Sequence, residues 1–85
     1  MTDLHPRTSL LSLQTGHRGR IAAIDGDRQI IRRMLSLGIR VGAEIAMLKH
    51  RGKSVVIQNA GTRIALGPSM ADKLQVEPLT TETKL

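Results

Sequence analysis

The side chains able to do chemistry in this 85-residue sequence are few and dispersed. Metal or acid–base chemistry would fall to three histidines, His5, His17 and His50, with Asp25, Asp27, Glu44, Asp72 and Glu77 as possible oxygen ligands. A metal centre needs three or four such groups to converge, with a supporting shell of hydrogen bonds. No spacing here brings them together. His17 and His50 stay as candidates for a divalent ion, but the expected state of each is a solvated side chain, and no cofactor is expected. Nucleophilic catalysis fares no better. There is no cysteine, and serines 9, 12, 36, 54 and 69 have no His and carboxylate arranged around them in sequence. The spacings Gly16-x-x-Gly19 and Gly38-x-x-x-Gly42 are not a phosphate loop, because neither runs from a strand into a helix through Gly-Lys-Ser/Thr. Turn and cap duty accounts for them. The sequence therefore reads as a protein that is not an enzyme.

Two clusters of cations are the more promising groups. Arg28, Arg32, Arg33 and Arg40 surround one segment, and Lys49, His50, Arg51 and Lys53 crowd another. Solvated outer faces are the ordinary fate of such residues. As function, they suit an acidic partner surface, where charges at the rim raise association rates more than affinity. Affinity needs apolar anchors, and Ile39, Val41 and Leu11 are the candidates beside the first cluster, with burial in the core as the competing role for each.

Composition narrows the possibilities further. The formal net charge of +6, from 13 Lys and Arg against 7 Asp and Glu, favours anionic partners. The absence of Phe, Tyr and Trp rules out stacking platforms for bases and aromatic grooves for proline-rich peptides. Without cysteine, neither a disulfide nor a zinc-thiolate site can supply stability, so a single aliphatic and methionine core must do so. No apolar run approaches the roughly 20 residues of a membrane-spanning helix, and the leucines near the N-terminus are too short a run for a signal peptide. A cytoplasmic protein is expected.

The elements that must position these residues are legible in order. The strongest is a helix over about 27–37. Asp27, or alternatively Asp25, caps its start, and Gly38 stops it at positive φ, so that Ile39 closes over Met34 in a Schellman motif. At about 100° per residue, Ile30, Ile31, Met34, Leu35 and Leu37 share one side, expected to face the core, while Arg28, Arg32, Arg33 and Ser36 take the other. Before it, Thr8 or Ser9 caps a helical turn offering Leu10, Leu11 and Leu13, and residues 20–25 form a strand. After Gly42, strands are expected over 44–49, 54–58 and 62–66, joined by short turns in a meander. Pro68 opens a helical turn over about 68–73, and residues 75–77 close the domain. Residues 1–8 read as a mobile arm and 79–85 as a disordered tail. The fold class is mainly β: a small five-stranded barrel with one inserted helix, closed because so small a sheet cannot otherwise protect its edges.

The residues that carry a family resemblance are Leu10 and the run to Gly16, Arg33-Met34-Leu35-Ser36-Leu37-Gly38-Ile39-Arg40-Val41-Gly42, the strand Gly61-Thr62-Arg63-Ile64-Ala65-Leu66, Met70-Ala71 and Val76. Together they resemble the FeoA family, ferrous iron transport protein A, over about residues 9–78. The resemblance implies a cytosolic SH3-like barrel that is not itself an enzyme. It would act on FeoB, the ferrous iron permease with a GTP-binding domain; the same barrel ends metal-dependent repressors of the diphtheria toxin repressor type. One departure is Val41, where family members often carry proline. On this reading Arg28, Arg32, Arg33, Ile39, Arg40, Val41, Lys49 and Arg51 would contact the partner, while Asp27, Gly38 and Gly42 shape the turns. The alternative is a basic β-barrel that binds nucleic acid through phosphate contacts, whose affinity would fall steeply with salt. A third, an iron sensor or chaperone, would require ferrous binding at low micromolar affinity.

Overall fold

The structure, a computed structural model, describes residues 7–79. Ser9 accepts a hydrogen bond from the Leu11 amide and so starts a 3₁₀ turn, Leu10–Ser12, directly after the two-residue strand β1, Thr8–Ser9. Strand β2, Arg18–Ile24, leads into α1, Arg28–Ser36, at whose start an Asp27 carboxylate oxygen accepts the Ile30 amide at 3.0 Å. Its far end is the expected Schellman motif. Gly38 sits at φ +83°, its amide donates to the Leu35 carbonyl, and the Ile39 amide reaches back to Met34 at 2.9 Å. Strands β3, Glu44–Arg51, β4, Ser54–Asn59, and β5, Thr62–Leu66, form the meander. The short helix α2, Pro68–Ala71, and strand β6, Leu74–Leu79, complete the chain. The arm and tail read from sequence fall largely outside the described residues. Of those described, Thr8 lies in β1 and Leu79 in β6.

All six strands join one antiparallel sheet in the order β1-β6-β2-β3-β4-β5. The sixth strand, beyond the five expected, is β1, which pairs Thr8 with Val76 and Ser9 with Gln75. Its ends do not pair with each other, so the sheet curls without closing. The curl has a visible cause. Ala22 is an extra residue between the Ile21–Val76 and Ala23–Gln75 pairs, and Leu48 between Met47–Ile57 and Lys49–Val56. Such bulges bend and twist a strand. The concave side collects Leu10, Leu13, Ile21, Met34, Ile39, Ile45, Met47, Val55, Ile57, Ile64, Leu66, Ala71, Leu74 and Val76, with no polar residue buried among the described ones.

The helix departs from its expected packing. Of the five residues assigned to its core face, only Met34 is fully buried and Ile30 is partly so; Ile31 is 36% exposed, Leu37 39% and Leu35 54%. The contact made by Met34 and the return of the chain at Ile39 explain this. Because Ile39 enters the core one residue past the left-handed Gly38, α1 touches the sheet along a narrow line, and side chains 60–100° round the helix from Met34 stay outside. Met34→Ala should thus cost about 2–5 kcal/mol in urea unfolding, whereas Leu35→Ala should cost less than about 1 kcal/mol.

Candidate functional site

Past Ile39 the chain makes a second tight bend. The Ala43 amide donates to the Arg40 carbonyl at 3.1 Å and Gly42 has φ +96°, the arrangement of a type II turn with Val41 at its first corner. The turn is stitched to β2, since the Gly42 amide donates to the Ile21 carbonyl and the Ile21 amide to the Ala43 carbonyl, both at 2.8 Å. Proline is favoured at the first corner of such a turn. Here the corner instead projects a valine that is 61% exposed.

Facing this bend is the turn between β4 and β5. Asn59 pairs with Thr62 across a two-residue loop, Ala60-Gly61, in which both φ angles are positive, +53° and +83°. That is a type I′ geometry, unusual in having an alanine at its first position. The Asn59 side-chain amide donates to the Gly38 carbonyl at 2.8 Å, clamping the turn to the exit of the helix. Between them lies a groove of about 630 Å³, lined on one wall by Leu35, Leu37, Arg40 and Val41 and on the other by Asn59, Ala60 and Thr62. Its lining mixes aliphatic and polar surface and includes the Arg40 side chain. No histidine, cysteine or carboxylate is among its lining residues.

The residues singled out from sequence divide into those this groove gathers and those it does not. Arg40 and Val41 line it, and Gly38 and Gly42 shape it. Arg28 and Arg32 are exposed on the flank of α1 that carries Ile31 and Leu35, whereas Arg33 lies on the opposite flank, in the last turn, where its charge complements the helix dipole. Ile39 must be withdrawn as a partner contact, because it is wholly buried. Lys49 and Arg51, near the end of β3, pair with Val56 and Ser54 of β4, roughly 10 and 17 Å from Asn59 at the rise of a strand. The second cationic cluster is thus a separate surface. Its histidine is not a free solvated group either: His50 Nε2 lies 2.7 Å from the Leu13 carbonyl, where it donates a hydrogen bond that pins the segment after the 3₁₀ turn. His17 is exposed, and among the described residues no three His, Asp or Glu side chains gather as a metal site would require. The ion pairs among the described residues join Glu44 to Arg18 and Arg20, leaving Arg28, Arg32, Arg33 and Arg40 unpaired there. Sequence reasoning missed Leu35, Leu37, Asn59 and Ala60 as groove residues. The Asn-Ala-Gly turn was visible, but its placement against the helix was not.

These features can be set beside known proteins. The FeoA domain family matches residues 8–78. The chain belongs to the FeoA family. A Methanocaldococcus jannaschii protein named for Fe(2+) transport, protein A, is 30% identical over 57 residues, 67% of this chain and 70% of that one. The crystal structure of an iron uptake regulatory protein, FeoA, superposes with a TM-score of 0.81 at 25% identity, covering 87% of this chain and all of that one. The Stenotrophomonas maltophilia FeoA complexed with zinc, described as a prokaryotic SH3 domain protein, gives a TM-score of 0.71 at 25% identity over 82% of this chain and 89% of its own. The SH3-like fold of this FeoA chain is thereby established, as the family resemblance implied. No helix of the described residues is long and apolar enough to cross a membrane.

Two outcomes follow from the geometry of the walls. Asn59→Ala, which strands the Gly38 carbonyl, should lower stability by about 0.5–1.5 kcal/mol in denaturant titration. Val41→Pro, placed at a turn corner whose amide makes no backbone bond among the described residues, should raise it by about 0.4–1 kcal/mol, because the unfolded chain loses freedom.

Proposed function

We propose that this FeoA-family chain is a cytoplasmic, non-enzymatic accessory component of ferrous iron uptake that docks, through the helix-exit groove, on the cytosolic GTP-binding region of the permease FeoB. The observation that carries the proposal is the apolar wall itself: Leu35, Leu37 and Val41 stand exposed together beside Arg40, and with Ile31 they are the exposed large aliphatic side chains among the described residues. A contiguous apolar patch rimmed by charge is the form that protein contact surfaces take. The relatives named for iron transport and iron uptake regulation supply the process, and a family resemblance the partner. The unpaired arginines Arg28, Arg32 and Arg40 would steer an acidic surface toward the groove and hold it in register.

The nucleic-acid reading draws no comparable support. The two cationic clusters lie on different elements, α1 with its exit and the β3–β4 hairpin, and the chain has no aromatic side chain on which a base could stack.

Titration of the purified chain with the GTP-binding region of the permease, in several nucleotide states, tests the docking. Val41→Glu and Leu35→Glu, both at exposed positions that leave the core intact, should weaken binding about tenfold or more, and Arg32→Glu should chiefly slow association. Absence of any interaction with the full-length permease in membranes would overturn the proposal.

A further inference from the structure

We propose that the outer edge of β5 is a strand-addition site for an extended, acidic segment of a partner protein, on a face distinct from the helix-exit groove. The inference starts from hydrogen-bond geometry. A two-residue hairpin loop makes its flanking residues, Asn59 and Thr62, exchange both of their backbone bonds. Pairing then alternates along an antiparallel ladder, so Ile64 bonds to Ile57 and Leu66 to Val55, whereas Arg63 and Ala65 aim their N–H and C=O groups away from β4. On that side the sheet ends, since β5 is the last strand in the order, and among the described residues no other backbone bond reaches Arg63 or Ala65. Two donors and two acceptors are left in a row along an exposed edge.

Natural proteins blunt such edges with proline, bulges or inward charges. Strand β5 has neither proline nor bulge within it; its register with β4 is unbroken, and its inward side chains Ile64 and Leu66 are core. The helix α2 contributes Ala71 to that core, on the inner face. On the outer face the cross-strand row Lys49–Val56–Ala65 runs to the edge, with Arg63 in the next exposed row and Arg51 at the near end. A shallow groove of about 440 Å³ lies over Lys49, Arg51, Val56 and Ala65. Val56 and Ala65 give it aliphatic lining, Lys49 and Arg51 border it, Arg63 lies one exposed row away, and neither β4 nor β5 contains a carboxylate. A strand laid about 4.8 Å beyond β5 would place one outward side chain beside Ala65 and the next beside Arg63. An aliphatic residue fits the first position and a glutamate or aspartate, facing Arg63, the second, an alternation that matches this edge.

A second copy of the chain fits less well. Pairing two β5 strands antiparallel about Ile64 brings Arg63 within the diagonal reach, roughly 7–8 Å, of its counterpart, between chains that each carry a net charge of +6.

The test uses the ¹⁵N-labelled chain and two acetylated heptapeptides, one alternating glutamate with valine and one alternating lysine with valine. The glutamate peptide should shift the amide signals of Arg63 and Ala65 and slow their hydrogen exchange, and the lysine peptide should leave them unmoved. Ala65→Pro removes only an outward-pointing donor, so it should weaken the glutamate peptide about fivefold to tenfold while Ala65→Ser binds as the parent does. Arg63→Glu, at an exposed site, should invert the preference between the peptides, and it decides the matter if Ala65→Pro does not fold. The proposal is overturned if the glutamate peptide moves only residues of the helix-exit groove, or if folded Ala65→Pro binds it unchanged. It is equally overturned if the protein alone, on concentration, protects the same two amides in a dimer, since the edge would then belong to a second copy.

Discussion

Everything in this domain turns on Ile39 being wholly buried one residue beyond a glycine in the left-handed region. The Ile39 amide closes on the Met34 carbonyl, and the two side chains enter the same core, so the end of α1 is locked to the sheet by a backbone bond and an apolar contact together. That lock has a geometric cost. The helix can touch the sheet only through Met34 and, partly, Ile30, and its remaining aliphatic side chains are turned toward water. The type II turn that follows is equally constrained, since Gly42 and Ala43 bond to Ile21 in the middle of β2. The exposed apolar wall is thus a consequence of how the chain gets back into the sheet.

Absence of aromatic side chains sharpens the same trade. Fourteen small and medium-sized aliphatic or methionine side chains make one continuous core, with no side-chain nitrogen or oxygen among the described residues buried without a partner. Such a core is thin, and the sheet must curl tightly to enclose it, which it does with one bulge in β2 and one in β3. Curling leaves two unpaired ends. One is the two-residue β1, too short to offer much backbone, and the other is β5, longer and unblunted.

The two grooves lie toward opposite ends of β4. At its Asn59 end the side-chain amide holds the helix exit, and at its Ser54 end Lys49 and Arg51 flank the second groove. Both grooves lie outside a curled sheet whose interior is filled by aliphatic and methionine side chains.

What the sequence determined by itself was local. The cap at Asp27, the Gly38 stop, the reach of Ile39 back to Met34 and the strand character of residues 54–58 each depend on side-chain and backbone preferences acting within a few residues, and all were readable there. The family motif was legible for the same reason, because it is built from those turn and cap positions. Tertiary structure alone decided which helical residues stay exposed, that the Asn59 turn would face the helix exit, that His50 would bond to Leu13, and that β1 would add a sixth strand. Periodicity reports that a side is apolar; it does not report how wide a strip the neighbouring sheet can cover. That width is set by the angle at which the helix meets the sheet, and the angle is fixed by contacts between residues far apart in the chain.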